Sequence, residues 1–149
     1  MAQYSFSASA LIDAPAGKVY GIIADYRNGH QQILPRPYFV SMEIEQGGVG
    51  AGTVVSFKMK LMGSVQNFHS VITEPEPGCV LVETETNRGA VTTFRVDPRE
   101  DGKKSYVTIG TETPVPGGFL GRVQGWITEQ LLQPIYVKEL KQLAEFARK

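Results

Sequence analysis

The sequence predicts an α+β protein: seven antiparallel strands sharing one apolar face, two short helices after the first strand, and a long C-terminal helix laid against the sheet. Two observations carry this. Apolar and polar side chains alternate with period two through residues 3–12, and again in six successive runs between residues 38 and 113, as they do in strands with one buried face. After residue 118 the period becomes that of an amphipathic helix long enough to span a sheet.

The first strand reads from Tyr4, Phe6, Ala8, Ala10 and Ile12 alternating with Ser5, Ser7 and Ser9. Asp13-Ala-Pro15 changes the period: Asp13 is a candidate cap, Pro15 suits a first helical turn, and Val19, Tyr20, Ile22 and Ile23 form a stripe running to about Tyr26. Asn28-Gly29 breaks this helix, a second short helix fits Gln31–Leu34, and Pro35-Arg-Pro37 enforces an extended exit. Tyr38, Val40, Met42 and Ile44 begin the next strand, and Val55, Phe57, Met59 and Leu61 the one after, with the glycine run Gly47–Gly52 between them. Further strands fit 65–74, 80–86, 90–97 and 104–113, separated by short turns such as Pro75-Glu-Pro77-Gly78, so strands two to seven form a meander. After Pro114-Val-Pro116-Gly117-Gly118, the residues Leu120, Val123, Gln124, Ile127, Leu131 and Ile135 share one helical face, and Pro134 is expected to kink the helix before Leu140, Leu143 and Phe146 resume the pattern.

An antiparallel sheet with one apolar face must cover it, and the long helix is the available cover. A twisted sheet rarely closes perfectly on a helix, and the space left is where a small molecule would bind. The expected lining is Tyr38, Met42, Phe57, Met59, Phe68 and Phe94 from the sheet side, with Gln124, Ile127 and Leu131 from the helix. Thioether and aromatic side chains suit an adaptable apolar pocket. The polar groups expected on the same inner faces are neutral: Gln66, Ser70, Thr84, Thr92 and Thr111, besides Tyr38 and Gln124. Gly121 and Gly125 lower helix propensity by about 1 kcal/mol each, which points to close approach of sheet or ligand to the helix backbone.

Composition narrows the partners. With 15 Lys+Arg against 15 Asp+Glu the chain is formally neutral, which argues against a basic nucleic-acid surface and favours small neutral or amphipathic molecules. One cysteine, Cys79, allows no internal disulfide, the first charged residue is Asp13, and no signal-peptide pattern opens the chain, so a cytoplasmic location is expected. The uncharged stretch 61–73 contains Gln66, Asn67 and His69 and is far shorter than the roughly 20 apolar residues of a membrane span.

Catalytic patterns are sparse. The glycine run lies between strands, and Thr53 stands where a third fingerprint glycine would be, so a flexible hairpin is expected there and no phosphate loop. Two histidines, His30 and His69, exclude a multi-histidine metal centre. Strand parity alone does not settle the side of His69. With Phe68 and Ile72 inward it faces solvent, and His30 lies in the inter-helix segment Arg27-Asn28-Gly29-His30, which reads as a solvated loop or as a cavity rim. Glu43, Glu45, Glu83 and Glu85 alternate against apolar residues and read as the wet side of strands. No cofactor or metal is implied. A cavity lined as above would give ligand affinity flat from roughly pH 5.5 to 8.5, because no assigned lining group titrates there.

Ile12-Asp-Ala-Pro15 with Val19-Tyr20-Gly-Ile-Ile-Ala-Asp25-Tyr26, then Gly50-Ala-Gly52-Thr53 opening a strand, then Val71-Ile-Thr-Glu-Pro75-Glu-Pro-Gly78, resemble in order and spacing the START-like (SRPBCC) superfamily of polyketide cyclases and dehydrases, lipid-transfer domains and pollen-allergen relatives. The resemblance covers essentially the whole chain as one domain, 1–149. It implies a helix-grip fold with an apolar cavity between sheet and C-terminal helix, and glycine-rich loops at the cavity mouth that gate access. It does not imply one reaction. The expected function is binding or carriage of a small hydrophobic molecule such as a lipid, quinone or polyketide-like ring. The alternatives are a cyclase- or dehydrase-like enzyme using the same cavity, and an interaction module. An enzyme should keep an ionisable group in the cavity, a carrier needs none, and an interaction module needs an exposed apolar patch.

Overall fold

The computed structural model describes residues 2–149. The chain runs β1 (Ala2–Ile12), α1 (Ala16–Ala24), α2 (Gly29–Ile33), β2 (Phe39–Gln46), β3 (Val54–Leu61), β4 (Ser64–Glu76), β5 (Val80–Glu85), β6 (Val91–Arg99), β7 (Lys104–Val115) and α3 (Gly118–Ala147). The seven strands form one antiparallel sheet in the order β1-β7-β6-β5-β4-β3-β2, so β2–β7 are a meander and β1 closes against the last strand. This is the helix-grip arrangement that the alternation and the long terminal helix predict.

The core lies between the concave face of the sheet and a layer made by α1, α2 and the second half of α3. Ile12, Val19, Ile23, Ile33, Ile72 and Leu81 are fully buried there, together with Leu140 and Leu143 of α3. The buried positions Val19, Ile23, Tyr26, His30 and Ile33 follow one another by four, three, four and three residues. A single apolar stripe therefore continues across the Asn28-Gly29 break, and α2 packs as an extension of α1. Asp25 turns the chain between them, its Oδ1 accepting the backbone N–H groups of Arg27 and Asn28 at 3.1 and 3.2 Å. Asp13 does not cap α1; Pro15 occupies the N-cap position, and no side-chain hydrogen bond caps it.

The glycine hairpin differs from its expected role. It is latched to the end of α1: Tyr26 N donates to Gly48 O at 2.8 Å, Gly50 N to Ala24 O at 2.9 Å, and Gly48 N to Thr53 Oγ1 at 3.0 Å. Glu74 Oε1 accepts the N–H of Ala51 and Glu74 Oε2 the hydroxyl of Tyr20. Gly50 has φ +67°, which a side chain disfavours, and an added Cβ would stand 2.4 Å from the Glu74 carboxylate that Tyr20 and Ala51 hold in place. The glycines serve a packed turn away from the cavity.

Candidate functional site

A cavity of about 130 Å³ opens between the concave sheet face and the middle of α3. Met42, Phe57, Met59, Phe68 and Phe94, all expected from strand parity, line it together, with Leu34, Pro35, Phe39, Leu132 and Ile135 completing the apolar wall. Phe57 and Phe68 stack with centroids 5.1 Å apart, and the Arg88 guanidinium lies 4.3 Å over the Phe68 ring. Tyr38 is half-buried outside this wall, where its hydroxyl accepts from Lys138 Nζ at 3.2 Å.

The helix contribution is corrected. Gln124, Ile127 and Leu131 do not line the cavity; Leu132, Ile135, Tyr136 and Glu139 do. Leu120 is 67% and Ile127 46% exposed, and Phe119, Val123 and Trp126 are exposed as well, the kind of patch an interaction module would present. The reason is steric. Gly121 and Gly125 are the buried positions of this half of α3, and at Gly125 an added Cβ would stand 2.2 Å from the ring of Tyr4. Backbone, and not the apolar stripe, meets β1, and Tyr4 fixes the contact by donating from its hydroxyl to Glu129 Oε1 at 2.7 Å. At 100° per residue the glycine face is that of Leu132 and Tyr136, whereas the stripe lies on the flank of Lys138.

The larger correction concerns ionisable groups. His30 is 2% exposed and lines the cavity. Its ring stacks on Tyr26 at 4.3 Å and meets the edge of Phe94 at 5.4 Å. His30 Nδ1 is 2.7 Å from the carbonyl of Ile23. A carbonyl can only accept, so Nδ1 carries the proton, and Nε2 faces Glu83 Oε2 at 3.6 Å. The same Glu83 oxygen accepts the Tyr26 hydroxyl at 2.5 Å. Burial first, and the Glu83 charge second, push the Tyr26 phenol well above its ordinary value, so it remains a donor.

Glu83 and Glu85 face inward with Leu81, opposite to the expected side of β5. Partners from elsewhere offset their burial. Glu85 Oε1 accepts the N–H groups of Asn87 and Arg88, and Oε2 that of His69 at 2.8 Å, so Glu85 clamps the β5–β6 turn. Its environment is structural. His69 faces outward as expected, with Nδ1 2.8 Å from Thr86 Oγ1 and Nε2 3.3 Å from Glu45.

Glu139 and Tyr136 enter the site from α3 without a local cue beyond position. Glu139 is 4% exposed and falls four residues after Ile135 and four before Leu143, a carboxyl on an apolar stripe. Burial, then the nearby Glu83, hold its pKa well above the ordinary carboxylate range. Its Oε2 has no hydrogen-bond partner among the described residues. Beside it, Thr92 Oγ1, Thr111 Oγ1 and the Tyr136 hydroxyl form a chain with spacings of 2.8 and 2.5 Å. Burial pushes the Tyr136 phenol up to about 12. Of the neutral polar residues expected inside, Ser70, Thr92 and Thr111 line the cavity; Gln66 and Thr84 do not.

Sheet, enclosing helix and the cavity between them define a helix-grip protein. The sequence model of the family described as polyketide cyclase / dehydrase and lipid transport matches residues 3–148, and the chain belongs to that family. Among solved structures, it is similar to the KanY protein, with 25% identity, 100% of both chains covered and a TM-score of 0.82. It is also similar in fold to the Zhui aromatase/cyclase from Streptomyces sp. R1128, with 18% identity, 99% and 94% coverage and a TM-score of 0.75. The protein TTHA0849 from Thermus thermophilus shares 18% identity over 97% of each chain, with a TM-score of 0.78. No curated protein matches the sequence. No helix among the described residues is long and apolar enough to cross a membrane.

Proposed function

We propose that this protein binds a small, mainly apolar ring compound in the cavity between sheet and α3 and moves protons on it, as a cyclase- or dehydrase-like enzyme. The observation that carries this reading is the His30–Glu83 pair set in the wall of a cavity whose remaining lining is largely apolar and aromatic. A carrier has no use for such a pair, and buried ionisable groups in a cleft are the arrangement that acid–base chemistry requires. Family membership and the fold shared with a protein named as an aromatase/cyclase agree with it. The neutral charge balance and absence of a disulfide fit a cytoplasmic site of action.

The roles follow from the hydrogen bonds. The Ile23 carbonyl fixes the His30 tautomer, which leaves the Nε2 lone pair as the base. On a β-hydroxy ketone, Nε2 takes the proton from the carbon between carbonyl and carbinol, a carbon–carbon double bond forms, and the carbon–oxygen bond breaks. The imidazolium returns that proton to the departing hydroxide, so water leaves. Glu83 stabilises the imidazolium while Tyr26 holds the carboxylate in place. A cavity of about 130 Å³ is slightly smaller than the roughly 150 Å³ that takes benzene, so the site is sized for one ring at most and fills tightly. Longer substrates require the Met42 and Met59 side chains to swing aside.

The test is turnover of one-ring β-hydroxy aryl ketones, followed by absorbance of the conjugated product. Wild type should accelerate water loss, and His30→Gln should lose at least about a hundredfold, the usual contribution of a positioned base. Binding of the ketone without turnover would leave carriage as the better reading.

A further inference from the structure

We propose that Glu139 is the oxygen-binding group of the cavity, donating a hydrogen bond to a ligand carbonyl, so that the molecules this site takes are ring compounds with a carbonyl at their deep end. This rests on the cavity-binding reading above and names the residue that holds the ligand's carbonyl oxygen, which that reading leaves unassigned.

Every basic side chain near the cavity is already engaged: His30 faces Glu83, Arg88 lies against Glu85 at 3.9 Å and donates to the Asn67 carbonyl, and Lys138 reaches outward to Tyr38. None is placed on Glu139. The other titratable groups that face it are Glu83 from β5, Tyr26 from the α1–α2 turn, and Tyr136 on its own helix. A carboxylate buried without a cation, next to a second carboxylate, costs several kcal/mol, whereas the neutral acid does not. Glu139 therefore carries its proton, and as a residue of the cavity wall whose Oε2 has no hydrogen-bond partner among the described residues it is a donor without a protein acceptor.

The adjoining hydroxyls point to the same ligand chemistry. Thr92, Thr111 and Tyr136 own three hydroxyl hydrogens between them and are joined by two hydrogen bonds. One of the three hydrogens is left over. Two unspent donors, from Glu139 and from this chain, border one cavity. A ligand that brings an acceptor oxygen satisfies them; a hydrocarbon leaves both unpaired, and a ligand bringing only donors adds to the surplus.

The test compares two probes of nearly the same shape, acetophenone and isopropylbenzene, by calorimetry on the full chain. Wild type should bind acetophenone about fivefold to tenfold more tightly, the equivalent of one net hydrogen bond. Glu139→Leu should lose that preference while still binding isopropylbenzene, and Glu139→Gln, which keeps an N–H donor, should retain most of it. Infrared spectra supply a readout independent of folding differences between variants. Wild type at neutral pH should show a carboxylic-acid carbonyl band that is absent in Glu139→Gln and shifts when acetophenone binds. Equal affinity for both probes, an undiminished preference in Glu139→Leu, or no acid band in wild type overturns the assignment while leaving the cavity reading standing. Failure of wild type to bind either probe overturns both.

Discussion

Gly125→Ala should destabilise the protein in the native background and stabilise it once Tyr4 is truncated. The added Cβ would stand 2.2 Å from Tyr4 Cγ and Cδ2 and 2.8 Å from its Cβ, and atoms so close to the β1 backbone cannot swing away. Overpacking of this severity costs about 3 kcal/mol, the upper end of the usual range. Helix propensity returns about 1 kcal/mol, because alanine loses less backbone entropy than glycine. The net is about 2 kcal/mol of destabilisation, or roughly 4–8 °C in Tm for a chain of this length. In a Tyr4→Ala background the clash is gone and the propensity gain remains, so Gly125→Ala should raise Tm by about 2–4 °C relative to Tyr4→Ala alone. The coupling between the two sites is then about 3 kcal/mol. Thermal unfolding of the four proteins by circular dichroism reads it directly. A Gly125→Ala effect of the same sign in both backgrounds would refute the claim that bare backbone seats α3 on β1.

Deleting residues 118–149 removes the buried positions Ile135, Leu140 and Leu143 and should abolish cooperative unfolding by denaturant; a sharp transition would contradict the helix's place in the core. Ile127→Trp should change acetophenone affinity less than twofold, whereas Ile135→Trp, placed in the cavity wall, should abolish it; calorimetry distinguishes the two. Glu85→Ala leaves three backbone N–H groups of residues 69, 87 and 88 without their acceptor and should cost about 3 kcal/mol in chemical denaturation, a figure that a loss under 1 kcal/mol would rule out. The raised pKa of Glu139 means that the folded state keeps a proton the unfolded chain releases above about pH 4.5, so its contribution is fully present below that pH and is lost as pH rises toward the folded value. Glu139→Gln should therefore gain Tm relative to wild type between pH 5 and 8; a difference independent of pH would contradict a buried neutral acid.

The sheet was legible because its strands obey one rule at a time. In β1 the serines face out and the larger apolar groups in, and the period-two pattern places every residue correctly. In β5 it does not, since Val80, Val82 and Thr84 alternate with Leu81, Glu83 and Glu85 and either set could be the inner one. Carboxylates default outward unless partners are supplied, and here the partners are Tyr26, His30 and three backbone N–H groups distant in sequence. No local pattern contains that information. His30 was within reach, because Val19, Ile23, Tyr26 and Ile33 keep helical spacing through it, but the Asn-Gly pair beside it reads as a break. In α3 the apolar stripe misleads for the opposite reason: contact with β1 is made where side chains are missing, and hydrophobic periodicity records only side chains that are present.

The premise behind pH-independent affinity, a lining free of ionisable groups, does not hold, because His30, Glu83 and Glu139 line the cavity. Its replacement is a site where an apolar body and a carbonyl are recognised together. The most direct test is a methyl NMR titration of the full chain with acetophenone. Binding in the cavity predicts shifts at the methyls of Met42, Met59, Leu132 and Ile135, and none at Leu120, Val123 or Ile127. Shifts confined to Leu120, Val123 and Ile127, with the cavity methyls unmoved, would contradict the account and make the exposed flank of α3 the binding surface.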